Sequence, residues 1–374
     1  MEKASNQFSI REARGLVKDL SVPNPSIYWG DFLASILIGH VSLFLLTRLD
    51  RLGITALQTP VVYWASCSLL FTTTAILYMR SVMFIHELVH LPEEGFRAFR
   101  VAWNLLCGIP LLVPSFLYYP HIDHHRRKHY GTDLDGEYLD LSHRHPANMF
   151  LFVAAAAAVP LAAFARFLVM TPIAWVVPGF RAWVEKHASS MIIDIFYLRG
   201  DFGAKARQIM RLQEVLCFVW CAGLVAAWYF GRVSNLAVGY SYALATTLIV
   251  INNVRTLGAH RWVGDGRELT FEEQLLDSVN YPHRAWITEL WGPVGTRYHA
   301  IHHLFPSMPY HNLGIAHRRL MEGLPKDSIY RQTERTSLMG AIFELWQRAR
   351  HRNDANSNAI ELDSIRATNS RTAA

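Results

Sequence analysis

The chain has 374 residues, 51% of them hydrophobic, with a formal net charge of +6 and a pI near 9.2. Its apolar residues sit in long runs nearly free of charge, which excludes an ordinary water-soluble globule, while a mean hydropathy of only +0.13 leaves much of the chain in water. In such a chain the net basicity reads as cationic loops on one membrane face, so no nucleic-acid partner is expected.

The N-terminal segment, residues 1–30, begins MEKASNQFSIREARGLVKDL and lacks a short apolar core followed by a small-residue cleavage site. No signal peptide is expected, and the segment is placed on the cytosolic side. A membrane domain is predicted over 31–350, with apolar runs at 31–49, 61 to about 85, 101–119, 149–180, 213–230 and 236–254. Several reach the roughly 20 residues a spanning helix needs. Four of them pair into two hairpins, joined by RLGITALQTP and by GRVSN. The run 101–119 carries Pro110 and Pro114, and the run 149–180 carries Pro160, Pro172, Pro178 and Arg166. These two read as re-entrant or interfacial elements, since interrupted backbone is tolerated at membrane depth only where protein covers it. The fold class is therefore an all-α integral membrane bundle of about four transmembrane helices, with re-entrant or interfacial helices and a cytosolic histidine-rich cap. Residues 351–374 are polar, lack aromatics and read as a disordered tail. Cys67, Cys107, Cys217 and Cys221 all fall in apolar runs and read as reduced core residues.

Three histidine clusters carry the chemistry. HELVH places His86 and His90 four residues apart on one helix face; HIDHH supplies His121, His124 and His125; HAIHH supplies His299, His302 and His303. If they form one site they must share one membrane face, and the topology above permits that. The far-side turns hold few cations, Arg51 and Arg232, whereas the histidine side holds nearly all the Lys and Arg, so both termini and the clusters are expected in the cytoplasm. Eight imidazoles exceed what one tetrahedral zinc site takes, and two metal ions are the natural reading. His40, alone in the first run, reads as a hydrogen-bonded core residue.

In that order, and with 30 residues between His90 and His121, the three boxes resemble those of the membrane fatty acid desaturase and hydroxylase superfamily. The resemblance extends from about residue 30 to about residue 325. It implies a non-haem di-iron centre with two iron ions, using O2 and two electrons to desaturate a fatty acyl chain or related lipid. It also implies His86, His90, His121, His124, His125, His299, His302 and His303 as ligands. The stretch NNVRTLGAHRW adds His260 as a ninth; Thr256 stands four residues before it, where some relatives have Asn. Ligating imidazoles need acids to hold their other ring nitrogen. Asp123 and Asp265 are the first choices, with Glu87, Asp133, Asp135, Glu137 and Asp277 also near the boxes, while His129, His283 and His311 read as structural or as supports behind the ligands. Arg255, Arg261, Arg297, Arg318 and Arg319 make this face basic, which suits an anionic headgroup, an acyl carrier or an acidic electron donor.

Two other readings compete. HELVH alone matches an intramembrane zinc protease, with Glu87 as base and Asp135 as a third ligand, yet such an enzyme has no use for the two H-x-x-H-H boxes. On the same fold, hydroxylation, carotenoid ketolation or triple-bond formation differ from desaturation only in where the substrate carbon is held. Intact boxes argue against an inactive relative, and histidines at span ends argue against a metal transporter. A lipid or acyl substrate, free or carrier-bound, is expected, with electrons from a separate ferredoxin, rubredoxin or cytochrome-type donor.

Overall fold

A computed structural model describes residues 8–201 and 203–352. Their regular elements are helices, with no β-strand among them. A short helix α1 (Ile10–Val17) precedes the first long hairpin, α2 (Pro25–Leu46) and α3 (Pro60–His90). Proline opens both long helices, where its missing N–H is no loss, and the Asn24 side chain caps α2 by accepting from Ser26 N at 3.0 Å. The first span thus begins at Pro25, six residues earlier than the hydropathy run. Helix α3 has 31 residues, or about 46 Å at 1.5 Å per residue, against a hydrocarbon core of about 30 Å. That excess length lets its C-terminal turn, bearing His86 and His90, stand clear of the apolar core.

The next two apolar runs do not behave as simple spans. Helix α4 (Arg97–Trp103) passes into a π-helical turn at Asn104–Gly108, where the Leu106 carbonyl meets His40 Nε2 at 2.9 Å. The chain reverses at Leu112, which has a left-handed φ of 57°, and Asn104 clamps the two arms through Ser115 N at 2.9 Å and Ser115 Oγ at 3.0 Å. It then climbs back to a single turn, α5 (His121–His124). The second arm descends through α6 (Ala147–Ala154), whose level is set by Asn253 on the Phe152 carbonyl and Tyr242 on the Ala157 carbonyl. It returns through α7 (Val159–Ala165), a second π-helical turn, α8 (Thr171–Val176) and α9 (Pro178–His187). Met191 N then donates to the Leu117 carbonyl at 2.7 Å, beside the histidines where the arm began. Although 159–176 is long and apolar enough to span by itself, giving five such helices in all, its contacts make it the returning limb of a re-entrant hairpin.

Helices α10 (Ala204–Tyr229) and α11 (Asn235–Leu257) form the second long hairpin, turning at Gly231 with φ 68°. On α2, α3 and α10, Ile38, Val41, Phe44, Trp64, Leu69, Val219 and Trp228 are half or more exposed, an apolar girdle that lipid would cover. The polar cap follows: α12 (Phe271–Asp277), α13 (Ala285–Trp291), α14 (His299–Leu304), α15 (Tyr310–Gly323) and a last helix α16 over 338–352. Most of the tail predicted at 351–374 lies outside the described residues. All four cysteines are free and buried.

A buried ion network pins the returning arm to the bundle. Arg166 reaches Glu214, Thr171 Oγ1 at 2.8 Å and the Ala188 carbonyl at 2.6 Å, while Arg181 takes the other Glu214 oxygen at 2.6 Å. Glu214 is 0% exposed and Arg166 6%, so neither charge has water to fall back on. Removing one partner of a buried pair costs roughly 3–5 kcal/mol. Glu214→Ala should therefore lower the melting temperature of the detergent-solubilised protein sharply, whereas Glu93→Ala, which breaks only the exposed pair with Lys205, should leave it nearly unchanged.

Candidate metal centre

The fold brings the nine box and pre-box histidines to one end of the bundle and sorts them into two groups. His86, His90, His121, His125 and His302 form one; His124, His260, His299 and His303 form the other, and within each the facing atoms lie within 4.8 Å of one another. The second and third boxes are each divided between the groups, because helical neighbours one residue apart point about 100° apart. Thus His121 and His125, whose ring centroids are 4.6 Å apart, face the α3 pair, while His124 turns towards His303 at 4.8 Å. From α14, His302 packs on His86 at 4.1 Å and His299 on His260 at 4.5 Å. His260 follows the end of α11 and is held by a lone β-bridge to Ser278.

Acidic side chains hold the outward ring nitrogens. Asp135 Oδ2 meets His124 Nδ1 at 2.8 Å and also takes Gly131 N; Glu137 Oε1 meets His121 Nδ1 at 3.0 Å; Asp277 lies 3.2 Å from His260 Nδ1. Tyr130 Oη donates to Asp277 at 2.6 Å and stands 2.8 Å from His260 Nδ1, a bridging role with no signature in the sequence. Gly136, between the two acids, cannot carry a side chain: a Cβ there would lie 2.8 Å from the Tyr197 ring.

The first-choice acids are corrected. Asp123 pairs with Arg126 at 2.8 Å and His129 at 3.2 Å, and Asp265 pairs with Arg267 at 3.4 Å. Adjacency in sequence misled here, because Asp123 points from the opposite side of a one-turn helix. Glu87 lies 4.0 Å from His86 Nδ1, beyond hydrogen-bond reach; its Oε2 accepts from Tyr28 Oη at 2.5 Å and Tyr310 N at 3.1 Å. It therefore braces α2 and α15 against α3. With Glu87 so engaged and Asp135 on His124, the protease reading loses both its base and its third ligand. The basic face is also smaller than the sequence implied: Arg297 is buried on Thr288, Tyr298 and Glu289, and Arg319 pairs with Asp19 at 2.6 Å.

The donor set fits metal ions. Burial pushes His121, His125, His299, His302 and His303 well below the usual imidazole range, so they stay neutral with a lone pair free. Burial would lower His124 too, but the Asp135 carboxylate, with Glu137 and Asp277 beyond it, carries it above that range. Burial also pushes Glu137 up to about 7. His125 Nε2 faces His121 Nε2 at 2.9 Å and His302 Nε2 at 3.0 Å, and His299 Nε2 faces His260 Nε2 at 2.8 Å and His303 Nε2 at 3.1 Å. One ring proton cannot serve two such contacts. Nitrogens sharing an ion at roughly 2.0–2.1 Å and a right angle stand about 3 Å apart. His86, though buried, has no hydrogen-bond partner on either ring nitrogen.

The pattern of the fatty acid desaturase family matches residues 58–335, more than half of the chain and all three boxes. The chain belongs to the fatty acid desaturase family. A ceramide hydroxylase of Caulobacter vibrioides (strain NA1000 / CB15N) is 38% identical over 359 residues, covering 94% of this chain and 97% of that protein. No solved structure matches. This desaturase-family chain is therefore a membrane lipid-modifying oxidoreductase, and its histidine groups can hold metal. Loss of a carboxylate behind a ligating histidine typically weakens metal binding 10–100-fold. Asp135→Ala and Asp277→Ala should each shift an iron titration of the purified protein by about that factor, and Asp123→Ala should not shift it.

Proposed function

We propose that this protein hydroxylates a ceramide-type lipid, with O2 and two electrons, at a di-iron centre. The observation that carries the reading is the convergence of nine imidazoles into groups of five and four, each backed by a carboxylate, in a chain that matches a ceramide hydroxylase over nearly its whole length. His86, His90, His121, His125 and His302 would hold one iron, and His124, His260, His299 and His303 the other. When bound, the iron pair would supply activation of O2 and cleavage of a C–H bond.

The protein's own residues do the remaining work. Glu137 and Asp135 fix ring orientation and tautomer by accepting Nδ1–H from His121 and His124, and Asp277 does so for His260 through Tyr130, whose Oη accepts from Nδ1 and donates to Asp277. Tyr118, stacked on His121 with centroids 4.7 Å apart, and the buried Tyr130, Tyr138 and Trp262 around His260 keep bulk water from the centre. In hydroxylation one oxygen atom enters the C–H bond and the other leaves as water with the two electrons and two protons. Desaturation, the reading the family's description favours, sends both oxygen atoms to water and takes a second hydrogen from the substrate. The electrons come from a separate donor protein, and the histidine end faces the cytoplasm, since Arg48, Arg51 and Arg232 are the only cations in the far-end turns among the described residues.

Membranes from cells expressing the wild-type chain should turn added ceramide into a product heavier by one oxygen atom, read by mass spectrometry, and purified protein should carry close to two irons per chain. His124→Ala and His302→Ala, one in each group, should abolish product while the protein still inserts. A product lighter by two hydrogens establishes desaturation instead, and a single zinc with no iron defeats the reading.

A further inference from the structure

Helix α16, over 338–352, presents three different faces. One is closed: Leu345 and Ala349, with Ile342 and Trp346 at their edge, pack into one apolar cluster with Met149 of α6 and Leu257 at the end of α11. Trp262, whose ring lies 5.1 Å from that of His260, belongs to the same cluster. A second face meets the polar cap, where Glu344 pairs with Arg335 at 3.4 Å and Arg335 N donates to the Asn280 carbonyl at 2.8 Å. The third is apolar and open. Met339 and Phe343 are 65% and 55% exposed, Trp346 stacks on Phe343 with centroids 5.9 Å apart, and the Arg350 guanidinium lies 5.5 Å from the Trp346 ring. Steps of four, three and four residues put these four side chains on one side of a helix.

Both ends of α16 are tied to places where the chain passes the same level of the bundle. Leu338, its first residue, packs on Gly258, the C-cap of α11, and Arg352 at its other end meets His143 just before α6. Asn253 of α11 donates to the Phe152 carbonyl of α6 at 2.8 Å; from that contact α11 runs on to its end at Leu257, and α6 runs back to its start at Ala147. At 1.5 Å per residue both reach the histidine end about 6–8 Å above the contact. Helix α16 therefore joins two points of similar height and lies across the bundle axis, not along it. Its Glu344 flank faces the cap, so the Met339 and Phe343 flank faces the other way, towards the hydrocarbon. There it continues the apolar surface of α6, on which Phe150 and Leu151 are exposed.

We infer that α16 lies in the headgroup layer of the histidine-side leaflet, with Met339, Phe343 and Trp346 against the upper acyl chains and Arg350 on lipid phosphate. The residue types fit that partner. An amphipathic helix in the interface buries its apolar face roughly 5–10 Å into the headgroup and acyl boundary. Tryptophan favours that level, and an arginine lays its stem on apolar surface while its planar fork reaches phosphate. Because the same helix closes the cluster around Trp262, the bilayer surface then supports the outer wall of the four-histidine group. The inference concerns lipid as a surface and does not depend on which lipid is oxidised.

The test uses full-length protein in phosphatidylcholine vesicles, with a nitroxide label on Met339→Cys, Phe343→Cys or Glu344→Cys. The four native cysteines are buried, and unsubstituted protein sets the labelling background. Labels at 339 and 343 should relax more with dissolved oxygen than with a water-soluble nickel chelate, at a depth of roughly 5–10 Å, and the label at 344 should show the reverse. Nickel reaching 339 and 343 as freely as 344 overturns the inference, since the face is then in water. Exclusion of both reagents overturns it too, since a second copy of the chain or the residues after 352 then cover the face. Wild type supplies a check without substitution: a phosphatidylcholine with a diazirine high on its acyl chain should crosslink to the tryptic peptide 336–348, and absence of that adduct defeats the placement.

Discussion

Nine imidazoles gathered in a water-poor site are the constraint from which the rest of the architecture follows. Each ring brings two nitrogens, and a buried nitrogen without a partner destabilises the fold by an amount comparable to a lost hydrogen bond. Here the inward nitrogens crowd to 2.8–3.1 Å of one another, a spacing that ring protons alone cannot satisfy and that suits a shared metal ion. Outward nitrogens are then free to be held by protein, and three carboxylates with Tyr130 do this for His121, His124 and His260. The carboxylates also return negative charge to a site that would otherwise collect only cations.

The bundle serves that constraint by returning every chain segment to one end. Long hairpins do so with glycine turns at the far end, and the two interrupted runs do so by reversing inside the protein. Their reversals need the freed backbone groups covered, which His40, Tyr242 and Asn253 supply from other parts of the bundle and Asn104 from within its own arm. The Arg166–Glu214–Arg181 network performs the same service for charge. These polar side chains therefore mark where regular helix gives way.

Much of this was legible along the chain. Hydrophobic runs of spanning length announced the four long helices, proline within the other two announced their interruption, and histidine spacing announced the boxes, because each signal is carried by residues a few positions apart. The first span starts at Pro25, ahead of the apolar run, because Asp31 pairs with Arg80 and the helix continues through it. The partners of the histidines were harder. Asp135 and Asp277 were indistinguishable from Asp123 and Asp265 by type and proximity, and only the direction in which a short helix or loop presents each carboxylate separated them. Tyr130 was invisible, since a single tyrosine acquires its role from Asp277, 147 positions away.

By itself, then, the sequence determined what could be read from local periodicity and composition: an apolar all-helical chain that belongs in a membrane, two hairpins, two interrupted arms, and imidazoles in the number and spacing for more than one metal ion. Only the tertiary structure decided how the nine rings divide five to four across the boxes, which acids stand behind them, and that Glu87 braces helices instead of serving as a base. The reason is physical: a helix sets which residues share a face, but the partner that a buried polar atom finds is set by packing between elements far apart in the chain.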